Sequence, residues 1–358
     1  MIIGAHVSAS GGIGKSIQRG TDIGAEAIQI FTNNPRSWSQ STGSPIKPEE
    51  LAAYLDARRA LPAIKMVFTH VTYLVNIASN DDAIYKKSKI SLAANLAAAL
   101  SIGATGAILH PGSHKGSGFE SCKQRIVDGI AWAFDQAFND HASQNIRLPP
   151  NTHRPGSSEE ERMISDTTAV TANTLSTTGT PGTPGITEMG TTADDQPLLL
   201  LENTAGAGGT VGRSFDELAS LIEALDSAGM ANQIGVCLDT QHMWASGMRY
   251  TTIEDADRLI DDFNKLIGIG RLRCIHLNDS KVPYGSQRDR HENIGEGTIG
   301  IDGLAALIGH PSLSGLPAIL EVPGNGHGPE ANQVIVARET LRIGKNARKS
   351  ATHAHTSN

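Results

Sequence analysis

The chain has 358 residues, 39% of them hydrophobic, enough for one large barrel or two domains around a substantial core. No apolar run approaches the roughly 20 residues that span a bilayer, and the N-terminus MIIGAHVSASGG lacks the charged start and long apolar middle of a secretory signal. The formal charge of −7 argues against a nucleic-acid partner only until it is located: Ser143–Gln196 holds three arginines against seven carboxylates, more than half of the excess. Divalent cations on the remaining carboxylates would bring the rest to neutral or positive, so a phosphate-bearing partner is not excluded.

Short β-like runs are expected at Ile2–Val7, Ala27–Thr32, Lys65–His70, Ala107–His110, Leu198–Glu202, Gly235–Asp239, Arg273–Leu277 and Ala318–Glu321. Amphipathic helices are expected between them, among others at Lys47–Leu61, Ala83–Leu100, Cys122–Asn139, Ser214–Ala228, Thr252–Leu266 and Asp302–Ile308. Eight runs alternating with helices predict an α/β chain folded as a (β/α)8 TIM barrel, a single catalytic domain over residues 1–340. A doubly wound open sheet is the runner-up, but no run is followed by a glycine-rich dinucleotide fingerprint, and no nucleotide cofactor is expected. The segment 143–196 is Thr/Gly/Pro-rich without Phe, Trp or Tyr, and reads as a low-complexity disordered insertion between helix 4 and strand 5. The tail 345–358, KNARKSATHAHTSN, also reads as disordered, with its two histidines solvated. Cys122, Cys237 and Cys274 are odd in number and scattered, which suggests buried thiols in a reducing compartment.

The chelating residues fall at one kind of place. His70, His110, Glu202, Asp239 and Glu321 end the third, fourth, fifth, sixth and eighth runs, and His276 lies one residue from the end of the seventh. In a (β/α)8 barrel those ends open onto one face. His242 follows Asp239 as D-x-x-H, and Asp289 and His291 form D-x-H, so nine candidate ligands share the rim. Taken singly, His70 or His110 could be a hydrogen-bonded core histidine and Asp239 a helix cap, whereas a buried Glu202 or Glu321 without a cation is costly. Four carboxylates and five imidazoles exceed one tetrahedral ion of about four ligands. A multinuclear site suits phosphoryl chemistry, as in a phosphodiesterase or phosphatase.

The stretches GAHVSASGG, FTHVTYLVNIAS, LHPGSHKG, LLLENTAGAGG, GVCLDTQHMWASG, CIHLNDSK, DRHENIGEGTIG and AILEVPG resemble the endonuclease IV family of apurinic/apyrimidinic (AP) endonucleases, from Ile2 to about Glu321. The resemblance implies three Zn2+ ions: one on His70, His110 and Glu202, a second on bridging Glu202 with Asp239, His276 and Glu321, and a third on His242, Asp289 and His291. It implies cleavage of double-stranded DNA 5′ to an abasic site, leaving a 3′-hydroxyl and a 5′-deoxyribose phosphate, and trimming of blocked 3′ ends, with Glu202 also steering the attacking hydroxide. Arg36, Tyr73 and Leu74 would enter the DNA, and His6, His114 and Trp38 would lie behind the ligands or on the DNA side. A monomer inside the cell is expected, in the nucleus or mitochondrion if eukaryotic and the cytoplasm if bacterial. Departures from the family pattern are Gln241, Glu292 and Val71, none a ligand. The rival readings are a metal-dependent sugar isomerase or epimerase of the xylose-isomerase-like barrel type and a non-catalytic binder of damaged DNA.

Deleting Ser143–Gln196 is expected to leave incision of an abasic duplex within about an order of magnitude, since a segment that cannot form a core contributes little to the site. A nicking assay on the deleted protein checks this, and failure of that protein to fold would contradict the reading of the segment.

Overall fold

The computed structural model describes residues 1–143 and 198–356. Eight parallel strands close into a barrel: β1 (Ile2–His6), β2 (Ala27–Ile30), β3 (Met66–His70), β4 (Gly106–Leu109), β5 (Leu198–Glu202), β6 (Ile234–Asp239), β7 (Leu272–His276) and β10 (Pro317–Leu320), which pairs with β7 and β1. Between β7 and β10 lies a small antiparallel hairpin, β8 (Asp279–Ser280) and β9 (His291–Glu292). The helices are α1 (Gly14–Asp22), α2 (Pro48–Ala60), α3 (Asp82–Ser101), α4 (Phe119–Ser143), α5 (Phe215–Leu225), α6 (Thr240–Ser246), α7 (Ile253–Leu266), α8 (Gly300–Ile308) and α9 (Ala331–Thr356). No helix among the described residues is long and apolar enough to cross a membrane.

Local sequence accounts for where several helices begin. Asp81 accepts from the backbone N–H groups of Ala83 and Ile84, Ser214 from Glu217 and Thr252 from Asp255, so each helix start has a side-chain cap. The eight expected runs are the eight barrel strands, displaced by no more than two residues at any end. The segment 345–358 is a correction. It is helical as far as Thr356, because Ala, Lys and Arg are good helix formers and Arg348 anchors it. Arg348 Nη1 donates to Asp257 Oδ1 at 2.6 Å and Nη2 to the Ala306 carbonyl at 2.8 Å. The barrel's last helix therefore runs past residue 340. The expected disordered insertion at 143–196 lies outside the described residues, apart from Ser143 at the end of α4.

Strand side chains alternate between faces, and that period divides the barrel interior into layers. Two residues before the rim positions Gln29, His70, His110, Glu202, Asp239, His276 and Glu321 stand Ala27, Phe68, Ile108, Leu200, Cys237, Cys274 and Ile319, which pack with Met66 as one buried cluster. A larger apolar cluster fills the space between strands and helices. The rim therefore rests on a dry floor. Removing the largest piece of that floor, in Phe68→Ala, is expected to cost about 3–5 kcal/mol of stability, the usual loss for a fully buried phenyl. Urea denaturation measures it, and a cost under about 1 kcal/mol would show that the floor relaxes around the loss.

Candidate metal centre

All nine rim residues foreseen as ligands converge at the mouth formed by the strand ends. His70, Glu202, Asp239 and His276 close β3, β5, β6 and β7, and His110 and Glu321 lie one residue beyond β4 and β10. Asp239 caps α6, its Oδ1 accepting from the His242 N–H at 2.8 Å, so capping and site membership coexist in one side chain. The cap also places His242, in the first turn of α6, beside it.

The turn that follows β9 is organised by a carboxylate that sequence reasoning passed over. Asp279, fully buried, accepts from the backbone N–H groups of Ser280, Gly295, Gly297, Ile299 and Gly300. A Cβ on Gly297 would stand 2.4 Å from Asp279 Oδ1, so only glycine fits there.

Glu202 faces both ways. Its Oε2 lies 3.1 Å from His110 Nε2 and 3.3 Å from His70 Nε2, and its Oε1 lies 2.9 Å from His276 Nδ1. The same His276 nitrogen is 3.2 Å from Glu321 Oε2 and 3.9 Å from Asp239 Oδ2. Donor atoms of His70, His110 and Glu202 lie within 4.8 Å of one another, as do those of Glu202, Asp239, His276 and Glu321. The third set differs in one member: Asp239 joins His242 and His291 within that distance. Asp289, with a side chain 54% exposed, instead offers one oxygen to each imidazole, 3.3 Å from His242 Nε2 and 3.3 Å from His291 Nε2.

The residues suit a cation on chemical grounds. His70 Nδ1 lies 2.7 Å from the Val71 carbonyl, His242 Nδ1 2.9 Å from that of Asn203, and His291 Nδ1 3.3 Å from that of Glu321. A carbonyl must receive an N–H, so each ring turns its other nitrogen's lone pair inward, the arrangement a metal-binding histidine needs. His291 Nε2 is buried and, although Asp289 Oδ1 stands 3.3 Å away, makes no aligned hydrogen bond. Zinc–ligand bonds of about 2.0–2.1 Å give tetrahedral edges of about 3.3 Å, close to the spacings around Glu202. Asn278 Nδ2 steadies Asp239 Oδ2 at 2.7 Å. Cys237 and Cys274 also approach His276, but burial holds the Cys237 thiol well above its usual range, and both belong to the floor.

Burial alone would raise the Glu202 carboxyl, but His110, His276 and His242 outweigh it and hold the group well below the usual range. Burial likewise opposes Asp289, yet His242 and His291 bring it down to about 2. His276 moves the other way: desolvation lowers it, and Glu321 and Glu202 lift it to about 10. Against the same desolvation, Asp239, Asp289 and Glu202 hold His242 well above its usual value. In the metal-free protein this is a site holding protons where a cation would go.

Outside the cluster, Arg36 is exposed in the loop after β2, and Leu74 is half-buried after β3. Tyr73 is 64% exposed and meets Phe31 edge-on, ring centroids 5.1 Å apart. Beside it opens a cavity of about 690 Å³, lined among others by His6, Ser8, Asn33, His291 and Glu321. His114 Nδ1 accepts from the N–H groups of Gly116 and Gly118, so that residue braces its own loop. Trp38 is half-buried in the loop that carries Arg36. Sequence reasoning missed Gln29, Asn203 and Asn278. The available signals were a polar residue inside the apolar run AIQIF and an asparagine directly after Glu202 and shortly after His276.

Because a ligating imidazole must be neutral, zinc uptake by the metal-free protein at pH 7 should release the protons of His242 and His276, and affinity should rise with pH. The opposite slope belongs to the metal-free fold. Protonated His276 stabilises it fully below the ordinary 6.5, and that contribution is lost as pH rises through about 10. Calorimetry in buffers of different ionisation enthalpy counts the protons, and zinc binding without proton release would contradict the arrangement.

A family model described as a xylose isomerase-like TIM barrel matches residues 17–161 and 185–343. A probable endonuclease 4 from Halothermothrix orenii is 33% identical over 323 residues, 90% of this chain and 94% of that protein. Another from Halorhodospira halophila is 34% identical over 328 residues, 92% of this chain and 89% of that protein. The crystal structure of endonuclease IV from Thermus thermophilus matches with a TM-score of 0.68 at 27% identity, over 96% of this chain and 99% of that one. A D-tagatose 3-epimerase-like protein, 15% identical over 98% of this chain and 100% of that one, has a TM-score of 0.56 and shares the fold alone. A barrel matched over nearly its whole length by such relatives is placed without ambiguity: the chain belongs to the endonuclease IV family of AP endonucleases, which are hydrolases.

Proposed function

We propose that this chain is a zinc-dependent AP endonuclease of DNA repair. It hydrolyses the phosphodiester 5′ to an abasic site in double-stranded DNA, leaves a 3′-hydroxyl and a 5′-deoxyribose phosphate, and clears blocked 3′ ends. The observation that carries this reading is the surplus of donors, nine side chains at one barrel mouth with Glu202 offering an oxygen to each of two sets.

His70, His110 and Glu202 would hold one ion; Glu202, Asp239, His276 and Glu321 a second; and His242, Asp289 and His291 a third, with Asp239 near enough to share it. When bound, divalent cations supply Lewis-acid polarisation of a phosphate and a nucleophile from water at neutral pH. The chain does the rest. Glu202, ionised and fixed between imidazoles, orients the attacking water, and the apolar floor keeps bulk water from the far side. Arg36 contacts phosphate, and Tyr73 and Leu74 wedge into the duplex where the abasic nucleotide leaves the stack. The cavity beside Tyr73 takes the extruded sugar. The protein acts as a monomer inside the cell.

A sugar isomerase or epimerase is the second reading, favoured by the xylose isomerase-like family model and the shared fold of the epimerase-like neighbour. It leaves His242, Asp289 and His291 without a purpose, and the donor count speaks against it.

Elemental analysis of the purified protein should find three zinc ions per chain on the ligand sets above. Glu202→Gln should reduce nicking of an abasic duplex to background; a fully active variant, or ketose–aldose conversion by the wild type, would refute this function. Tyr73→Ala should weaken binding of that duplex by about 1–3 kcal/mol, the worth of a stacking side chain, with zinc content unchanged.

A further inference from the structure

Gln29 sits in β2 between Ile28 and Ile30, fully buried, an amide in an otherwise apolar strand. A buried amide must be hydrogen-bonded or it costs stability, and the partners of Gln29 all stand at the barrel mouth. Its Nε2 donates to Glu321 Oε1 at 2.6 Å and to His6 Nδ1 at 2.9 Å, and its Oε1 accepts from His276 Nε2 at 2.8 Å. Strands β1 and β7 and the residue that follows β10 are thus tied to β2 through one side chain.

The orientation of this amide is not free. Turned over, it would set its carbonyl oxygen against the Glu321 carboxylate, acceptor against acceptor. With the N–H groups on Glu321 and His6, the oxygen must face His276, and His276 must carry its proton on Nε2. The lone pair of His276 is thereby left on Nδ1, the nitrogen that lies 2.9 Å from Glu202, 3.2 Å from Glu321 and 3.9 Å from Asp239. His6 receives an N–H at Nδ1, so in the neutral ring its own proton sits on Nε2. His6 also lines the cavity beside Tyr73.

We propose that Gln29 is a positioning residue of the metal centre: its amide selects Nδ1 of His276 as the metal-facing nitrogen, holds the Glu321 carboxylate and sets the tautomer of His6 at the cavity wall. This inference rests on reading the cluster as the metal centre of a nuclease. His70 and His242 take their tautomers from backbone carbonyls, which no substitution removes, whereas that of His276 depends on a side chain that can be changed.

The test uses the full chain with Gln29→Leu, which removes all three hydrogen bonds. It also uses Gln29→Glu, which keeps an acceptor for His276 but sets a second carboxylate against Glu321. Zinc per chain, zinc affinity in competition with a chelator, melting of the metal-free proteins and incision kinetics are read together. In Gln29→Leu, zinc affinity should fall about 10–100-fold, the usual effect of losing a partner behind a ligand. Its metal-free form should still fold cooperatively but melt below the metal-free wild type, since the buried His276 N–H loses its acceptor. In Gln29→Glu affinity should fall at least as far. Lost incision should appear in kcat rather than KM and recover in part with excess zinc. Wild-type zinc affinity in Gln29→Leu, or a loss confined to the melting of the metal-free protein, would overturn the proposal while leaving the nuclease reading intact. A wild-type protein that takes up no divalent cation would instead overturn the metal centre itself, and the role of Gln29 with it.

Discussion

One buried carboxylate sets the terms for everything at the barrel mouth. Glu202 has no solvent exposure, yet it stays ionised because imidazoles press on both of its oxygens. An isolated carboxylate in such a place would take up a proton, since the desolvation cost of the charge is large. Here the positive counterpart is carried by His242 and His276, whose outer nitrogens are already committed to the Asn203 carbonyl and to Gln29. Removing those protons leaves concentrated negative charge facing lone pairs, an environment relieved by divalent cations. The acid chemistry and the metal chemistry of the site are therefore two occupancies of the same arrangement.

The parallel barrel makes this concentration possible by turning a period of two into depth. Each step from floor to rim is two residues along a strand, roughly 6.6 Å, so a floor of Phe68, Leu200, Cys237, Cys274 and Ile319 lies directly under the polar layer. A dry floor lowers the local dielectric and strengthens every charge interaction above it. Closure of the sheet brings together residues as distant in sequence as His70 and Glu321.

The barrel alone does not decide the chemistry, since epimerase-like proteins share it at low identity. What distinguishes this chain lies above the strands. The short helix α6 presents His242, and the β8–β9 hairpin, followed by a turn held on the buried carboxylate of Asp279, delivers Asp289 and His291. With these two elements the rim carries nine candidate donors rather than the six at the strand ends. Tyr73, Leu74 and Arg36 stand on the loops after β2 and β3, outside the cluster, and Tyr73 lines the cavity.

Much of this was legible in the residue order. Eight apolar runs marked the strands, and His70, His110, Glu202, Asp239 and Glu321 ending five of them, with His276 one residue from the end of another, marked the open mouth, because a buried strand must be apolar until it reaches a place where charge can be paired. The D-x-x-H and D-x-H spacings marked the outlying ligands, and two expected helices began at Ser214 and Thr252, which the structure shows to be their caps. Other features depended on partners far away in the chain. The tail after Lys345 looked featureless by composition, but Asp257 and the Ala306 carbonyl hold Arg348 within a helix. Asp279 carried no local signature, and Gln29 only that of a polar residue in an apolar run, since its worth lies in hydrogen bonds to groups as far as 292 residues away. The sequence by itself determined which side chains would reach the rim, because strand periodicity is local. Only the tertiary structure decided how those side chains pair, which ring nitrogen each histidine turns inward, and that Asp239 rather than Asp289 closes the tighter third set, because pairings and tautomers are set across the barrel, between strands that local sequence does not connect.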